Sequence, residues 1–200
     1  MIAVAALIMF VVMFLVVFVL RIVVQKRRTG DSGVRAGVLG SSIGSLEWFA
    51  GWLLVLALLA AVAAPIAEII GLEPITSSSW IRGAGTVVAA LGIAVTFVAQ
   101  ISMGSEWRIG VDPEERTGLV TDGAFEIVRN PIFSSLLLSA AGLALMVPNP
   151  ISLVGLVLLT VAIELQVRCV EEPHLRRLHG PAYATYEARV GRFVPGLGRL

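Results

Sequence analysis

The chain has 200 residues, of which 57% are hydrophobic and 14% are charged, and its formal net charge is +1. A charge so close to zero excludes a general electrostatic attraction to nucleic acid, and a single cysteine excludes an intramolecular disulfide bond. Several unbroken apolar stretches of about 20 residues are instead typical of helices that cross a lipid bilayer.

The first apolar stretch occupies residues 1–20 and ends in a basic flank. It lacks the basic start and the small-residue cleavage site of a secretory signal peptide, which favours a retained membrane span. The second stretch covers residues 46–70, where Pro65 predicts a kink, and the third covers residues 80–101. A glycine-rich run begins at Gly83 inside the third stretch, where small residues favour close helix packing over a dinucleotide site.

The last two stretches, residues 132–147 and 151–170, are separated by the sequence PNP. Two prolines around an asparagine predict a tight turn, so these stretches are expected to form a helical hairpin. Five spans place the two chain ends on opposite sides of the membrane. The basic residues lie in the first loop, the third loop and the tail, and only Arg82 is predicted on the other side. This asymmetry predicts an outer N-terminus and a cytoplasmic C-terminus. Frequent arginine and short length favour a bacterial plasma membrane.

The sequence therefore predicts an all-α integral membrane protein with five transmembrane helices, the last two a hairpin. Residues 1–101 carry the first three helices, and residues 102–200 carry a polar cytoplasmic loop, the hairpin and a cytoplasmic tail. Tyr183, Tyr186, Val190 and Phe193 recur at helical spacing in that tail, which indicates an amphipathic helix that packs on the protein or lies on the membrane surface.

The end of the last span carries a group of charged residues. Glu164, Arg168 and Glu172 recur every four residues and so share one helix face, with Glu171 beside them. A Glu164–Arg168 pair would lock helix packing. For Arg168, Glu171 and Glu172 a binding site is favoured, because adjacent carboxylates repel each other unless a cationic or hydroxyl-rich group lies between them.

The segment EIVRNPIF opens the fourth span. Pro131 suits the first turn of a helix, so Arg129 and Asn130 lie at its mouth, where free backbone N–H groups point. In the alternative reading, Asn130 caps the helix and Arg129 reaches lipid phosphates. The upstream residues 117–123 contain two glycines that can bring the backbone against a flat ligand. Together with the last span, these segments predict a cytoplasmic pocket for a zwitterionic, ribose-bearing ligand.

The segments LVTDGAFEIVRNPIF and RCVEEPHLRRLHGPAYATYEARVGRFVPGL, on either side of the hairpin, resemble the isoprenylcysteine carboxyl methyltransferase family, which is grouped with the membrane phospholipid methyltransferases. The resemblance covers residues 117–195. It implies S-adenosyl-L-methionine as cofactor, bound from the cytoplasm, and a lipophilic substrate that enters from the bilayer. By position it implies a cofactor site formed by Thr117, Gly118, Leu119, Val120, Phe125, Asn130, Pro131, Ile132, Phe133, Glu171 and Glu172.

The same resemblance places the family's substrate-side arginine on Arg168. Asn130 stands where the family pattern has histidine, and since an amide does not titrate, this argues against Asn130 as a general base. Phe125 and Phe133 replace tyrosines, so two polar cofactor contacts are expected to be missing.

Methyl transfer from a sulfonium ion requires alignment of the reacting atoms and exclusion of water. The catalytic candidates are Arg129, Arg168 and Glu172. An arginine can orient a carboxylate acceptor or lower the pKa of a thiol acceptor, and Glu171 or Glu172 can take the proton of a lipid amine. Trp107 is a candidate for substrate contact, with a role as an interfacial anchor as the alternative.

Two other classes of protein remain open. An NADPH-dependent membrane reductase of the sterol-reductase type would need more basic groups for its phosphates than the third loop offers. A non-enzymatic lipid-binding or transport protein would usually show polar or broken helices at mid-bilayer. His174 and His179 lack matching ligands, so no metal site is predicted. The sequence sets neither the methyl acceptor nor the oligomeric state.

Overall fold

A computed structural model describes residues 1–34, 42–110 and 118–200, and all regular structure in these ranges is helical. The long helices are α1 (Ile2–Thr29), α2 (Leu46–Ile69), α3 (Ser79–Ser102), α4 (Pro131–Met146) and α5 (Pro150–His179), followed by the short α6 (Pro181–Arg189). Helices α1 and α5 each contain a π-helical segment, at Leu15–Leu20 and Gln166–Glu171. Short 3₁₀ turns lie at Gly104–Glu106 and Gly123–Glu126.

The helices α1, α2, α3 and α5 are long and apolar enough to cross a membrane. Helix α4 is apolar but has only 16 residues, fewer than the roughly 20 that a span usually needs. The prediction of an all-helical membrane protein is confirmed, and the predicted five spans are supported for four. Pro65 lies inside α2 without ending it.

Helices α3 and α4 pack closely against each other through small residues. A Cβ atom built on Gly85 would lie 2.7 Å from the carbonyl oxygen of Gly142, and one on Gly92 would lie 2.5 Å from Ser139 Oγ. Ala89 is fully buried between them. Only small side chains allow backbones to approach so closely, which confirms the packing role predicted for this glycine-rich run.

The predicted turn between the last two long helices is also confirmed. The buried Asn149 caps α5, since its Oδ1 accepts a hydrogen bond from the Ser152 backbone N–H at 3.0 Å. Its Nδ2 donates to the carbonyl of Ala64 at 3.0 Å and so ties the hairpin to α2. At the same end of the molecule, Arg82 donates to the carbonyl of Met146 and pairs with Glu68.

Helix α5 continues to His179, beyond the predicted end of the last span. The added part, Glu172–His179, is polar, and Pro173, which has no N–H to donate, directly follows the π-helical segment where the regular helical hydrogen bonding is interrupted. This extension carries Glu172 past the start of α4 and into contact with the C-terminal tail.

Candidate functional site

Arg129 lies two residues before the start of α4 and is almost completely buried. Its Nη1 donates to the backbone carbonyls of Glu187 and Val190, both at 2.9 Å. Its Nη2 donates to Glu172 Oε1 at 2.8 Å and to the carbonyl of Gly198 at 3.1 Å. One guanidinium group therefore joins the mouth of α4 to α5 and to the C-terminal tail.

Glu172 lies at the centre of a buried ionic network. Arg192 donates two hydrogen bonds to its carboxylate, from Nε to Oε1 at 2.6 Å and from Nη2 to Oε2 at 2.9 Å. Arg176 reaches Oε2 at 3.3 Å and also pairs with Glu187 at 2.8 Å. Both oxygens of Glu172 are thus occupied by arginine donors. Hydrogen bonds between charged partners are short and strong, so this network fixes how the start of α4, the end of α5 and the C-terminal tail lie relative to one another. We call this region the polar corner.

The backbone before α4 pairs with the end of the tail. The N–H of Arg129 donates to the carbonyl of Gly191 at 2.8 Å, and the N–H and side-chain Nδ2 of Asn130 both donate to the carbonyl of Arg192. Asn130 therefore makes no side-chain cap on α4, and the buried Arg129 does not extend toward lipid phosphates. The structure therefore contradicts the alternative prediction for this segment, in which Asn130 caps α4 and Arg129 reaches lipid phosphates.

Helix α6 covers the loop that precedes α4. The Tyr186 hydroxyl donates to the carbonyl of Phe125 at 2.7 Å, and Leu119 packs against Tyr183, Tyr186 and Val190. Tyr183, Tyr186 and Val190 of the predicted stripe therefore pack on the protein, whereas Phe193 lies beyond the end of α6. Burial raises the pKa of the Tyr186 phenol to about 12, because the charged phenolate would lose its hydration.

Glu171 differs from its neighbour in having a single direct side-chain partner among the described contacts, Gln166 Nε2 at 3.3 Å. It lies in the π-helical segment of α5, and the positive charge of Arg108 also acts on it. π-Helical bulges recur at functional sites because they change the direction of side chains along a helix. Of the two adjacent carboxylates, Glu171 is the one with hydrogen-bonding capacity to spare.

The remaining predicted site residues fall into different surroundings. Arg168 has a side chain 54% exposed and pairs with Glu164 on the helix surface. Trp107 is buried beneath the guanidinium of Arg21, not exposed at an interface. Ile132 and Phe133 are half-buried on the first turn of α4, and Thr117 lies outside the described residues. The structure thus brings Arg129, Asn130 and Glu172 together, whereas Arg168 is exposed and pairs with Glu164 outside this network.

The sequence reading missed three members of the ionic network, namely Arg176, Glu187 and Arg192. Arg192 belongs to the segment VGRFVP, where an arginine beside a terminal proline is part of the matched pattern and was the available signal. Arg176 and Glu187 lie eleven residues apart, on either side of the turn between α5 and α6, so the periodicity of a single helix does not connect them.

The described residues form an apolar helical bundle with a polar, motif-bearing corner at one end of a helical hairpin. Residues 80–182 match the family model described as phospholipid methyltransferase. The chain is 31% identical over 142 residues to protein-S-isoprenylcysteine O-methyltransferase B of Arabidopsis thaliana, covering 70% of this chain and 72% of that protein. It is 28% identical over 142 residues to the A form of the same plant.

A probable protein-S-isoprenylcysteine O-methyltransferase of Oryza sativa subsp. indica is 27% identical over 113 residues, which cover 56% of this chain and 59% of that protein. The chain belongs to the isoprenylcysteine carboxyl methyltransferase and phospholipid methyltransferase family. These matches confirm the resemblance read from the sequence, and they favour a methyltransferase over a reductase or a transport protein.

Proposed function

We propose that the chain transfers a methyl group from S-adenosyl-L-methionine to a small lipophilic acceptor at the cytoplasmic face of the membrane. The acceptor atom belongs to a carboxylate, a thiol or a lipid amine. The observation that carries the proposal is the Arg129–Glu172 contact, which joins the two separate motif segments that resemble the family. Because two relatives are named O-methyltransferases, a carboxylate oxygen is the favoured acceptor.

The chemistry of the residues at this corner fits the cofactor. Glu171 can accept hydrogen bonds from an ammonium group or from ribose hydroxyls, since one weak bond from Gln166 leaves most of its lone pairs open. Leu119, Ile132 and Phe133 offer apolar walls. The further cofactor contacts that we propose are other positions of the matched segments: Thr117, Gly118, Val120, Phe125, Asn130 and Pro131. Glu172, which the resemblance also places at the cofactor, has both oxygens bonded to arginines and holds the site together instead.

S-Adenosyl-L-methionine, when bound, supplies an electrophilic methyl group on a sulfonium centre. The task of the protein is then to align the acceptor with that group and to exclude water. Hydrogen bonds occupy both oxygens of Glu172 and both terminal nitrogens of Arg129, which favours a positioning role for both residues in this proposal. Arg168, at the exposed end of the last span, is free to orient an anionic acceptor after leaving Glu164.

The proposed orientation places the site and the C-terminus in the cytoplasm of a bacterial cell and the N-terminus outside. It is supported by the basic residues at the polar end of α1, which are Lys26, Arg27 and Arg28. At the opposite end of the bundle, Arg82 is neutralised by Glu68, so it adds little positive charge there.

Binding and transfer can be tested on the detergent-solubilised protein. S-Adenosylhomocysteine should raise its melting temperature and NADPH should not, because a ligand that binds the folded state alone stabilises it. Label from methyl-labelled S-adenosyl-L-methionine should then appear in an isoprenyl-thiol acid, a fatty thiol or phosphatidylethanolamine. A melting shift with NADPH alone, or no labelled acceptor in any of the three classes, overturns the proposal.

A further inference from the structure

The polar end of α1 holds the chain where it leaves α3. Arg21 and Gln25 are each 4% exposed and lie about one helical turn apart. The guanidinium of Arg21 donates to the carbonyl of Gly104, and Gln25 Nε2 donates to that of Ser105 at 2.7 Å. Arg21 also lies 4.8 Å from the centre of the Trp107 ring. Hydrogen bonds from two buried side chains therefore fix the 3₁₀ turn that follows α3.

The same alignment continues in both directions along the chain. The carbonyl of Val17, inside the π-helical segment, accepts a hydrogen bond from Gln100 Nε2 at 2.9 Å. Beyond the end of α1, the carbonyl of Gly33 accepts a hydrogen bond from the N–H of Ile109 at 2.8 Å. The segment 17–33 is thus bonded to the segment 100–109 at successive points, so the position of the second segment depends on α1.

Glu106 connects this held segment to the proposed cofactor site. Its Oε2 accepts a hydrogen bond at 3.0 Å from the backbone N–H of Gly118, which is one of the cofactor contacts proposed above. A carboxylate that accepts a backbone N–H makes a strong bond and fixes the direction of that peptide group. Two residues after Glu106, the positive charge of Arg108 acts on Glu171, which we also assign to the cofactor. The segment held by α1 therefore interacts with two separate parts of the proposed site.

We propose that Glu106 is a positioning residue for the cofactor, and that Arg21 and Gln25 of α1 hold Glu106 in place. The inference rests on the proposed function and deepens it. The bond from Gly118 keeps the start of the loop that precedes α4 in the conformation that receives the cofactor. Without this bond the loop has to be ordered when the cofactor binds, and the free energy of that ordering is lost from the affinity.

Arg21 and Gln25 lie outside residues 80–182, which match the family model, whereas Glu106 and Gly118 lie inside them. The matched part carries the residues that we assign to the cofactor. The N-terminal helix in this proposal therefore contributes to cofactor affinity without contacting the cofactor, through the turn that carries Glu106.

The test compares ligand affinity with stability in the detergent-solubilised protein. Glu106→Ala should weaken binding of S-adenosylhomocysteine, measured by calorimetry, about tenfold. Its thermal midpoint without ligand should stay near that of the wild type, because Glu106 is partly exposed and Gly118 is exposed. Glu106→Gln keeps an oxygen that accepts the bond, although a neutral acceptor bonds less strongly, so its affinity should lie within about threefold of the wild type. Glu126→Ala, which removes an exposed carboxylate nearby in the sequence, should leave both quantities unchanged.

Hydrogen exchange of the ligand-free protein reports on the loop directly. Residues 118–122 should exchange faster in Glu106→Ala than in the wild type, and at nearly the wild-type rate in Glu106→Gln. A merely structural role for Glu106 would lower the thermal midpoint, and the glutamine variant would not selectively restore ligand affinity.

The contribution of α1 is tested by Gln25→Met, which removes the donor to Ser105 and keeps the length of the side chain. It should weaken binding of S-adenosylhomocysteine about fivefold, whereas Lys26→Met, exposed on the same helix, should not. Should Gln25→Met fail to fold, a pair of glycine variants decides the question. Gly33 and Gly30 both have positive φ angles, but a Cβ on Gly33 would lie 2.9 Å from the carbonyl oxygen of Trp107 and one on Gly30 meets nothing within 4 Å. Gly33→Ala should therefore weaken binding more than Gly30→Ala.

If the wild type binds S-adenosylhomocysteine and Glu106→Ala binds it equally tightly, the positioning role is wrong and the proposed function stands. Equal losses of affinity in Glu106→Ala and Glu106→Gln also overturn it, since the charge and not the bond to Gly118 would then matter. Unchanged exchange of residues 118–122 in Glu106→Ala overturns it without reference to any ligand. Unchanged affinity in Gln25→Met, or equal affinities in the two glycine variants, overturns the role of α1. A wild type that does not bind S-adenosylhomocysteine overturns the proposed function itself.

Discussion

Arg129 and Glu172 are 43 residues apart in the chain, and their side chains meet at 2.8 Å with almost no exposure to solvent. The pair links the start of α4 to the extension of α5, and the salt bridge from Arg192 links the tail to the same carboxylate. The two motif segments thus fold into one corner because a single buried anion attracts arginines from both.

Glu172→Gln is expected to destabilise the protein strongly. The change keeps the shape of the side chain but leaves Arg129 and Arg192 as buried charges without a counterion, a loss of about 3–5 kcal/mol in comparable buried pairs. The thermal midpoint of the solubilised protein should fall accordingly. Glu164→Gln is the matched control, because its pair with the exposed Arg168 should contribute about 1 kcal/mol or less. Equal midpoints for the two variants would contradict the central role of Glu172.

Glu171→Gln should separate ligand binding from folding. Because Glu171 has only Gln166 as a direct side-chain partner among the described contacts, its loss of charge should leave the thermal midpoint near that of the wild type. Binding of S-adenosylhomocysteine, measured by calorimetry, should weaken about tenfold, since a hydrogen bond to a charged group is lost. Unaltered affinity in this variant would show that the cofactor does not contact Glu171.

The contact between α3 and α4 should be sensitive to one methyl group. In Gly92→Ala the new Cβ would lie 2.5 Å from Ser139 Oγ, so the helices must separate at a cost of about 1–3 kcal/mol. Gly83→Ala offers the control, because a Cβ there meets nothing within 4 Å and alanine is the better helix former. We expect a lower melting temperature for the first variant and an unchanged or higher one for the second; the reverse order would refute this packing.

Tyr186→Phe should loosen the loop that precedes α4. It removes the 2.7 Å bond to the Phe125 carbonyl and leaves that acceptor unpaired, a loss of about 1 kcal/mol. Hydrogen exchange of residues 118–126 should become faster, whereas Thr185→Ala, on the exposed face of α6, should have no such effect. Exchange that is unchanged in Tyr186→Phe would mean that the bond does not hold the loop.

The same tyrosine predicts an alkaline transition. Burial raises the pKa of Tyr186 from its ordinary value of 10.0 to about 12 in the folded protein. The folded state therefore disfavours the phenolate, and its full stability below about pH 10 should decline as the pH rises toward 12. Stability measured from pH 8 to 12 should decline less in Tyr186→Phe than in the wild type. Parallel profiles would contradict the assigned shift.

The sequence was a good guide to α2 and α3, whose predicted ends lie within one residue of the observed ones. Their apolar residues begin and end sharply, so hydropathy alone locates them. The sequence placed the end of the last apolar span at residue 170, and how far the helix continues could not be read from hydropathy, because Glu172–His179 is polar and is stabilised by tertiary ion pairs with the tail.

The candidate site was likewise predicted in part, and the rest of it depends on tertiary contacts. The convergence of Arg129 and Glu172 was expected from their positions at adjacent ends of a hairpin. The occupation of both Glu172 oxygens by arginines was not, because it depends on Arg192, which only the tertiary fold brings back to α5. The burial of Trp107 was likewise set by Arg21, a residue about 86 positions earlier, and no local pattern links the two.

The brevity of α4 has a consequence for the lipids around it. At 1.5 Å per residue, its 16 residues measure about 24 Å, several ångströms less than the roughly 30 Å thickness of a bilayer's hydrocarbon core. Hydrophobic mismatch of this sign is relieved when the adjacent leaflet thins. We therefore expect the polar corner at the start of α4 to lie below the surrounding headgroup plane, where a molecule dissolved in the membrane would reach it by lateral diffusion without leaving the bilayer.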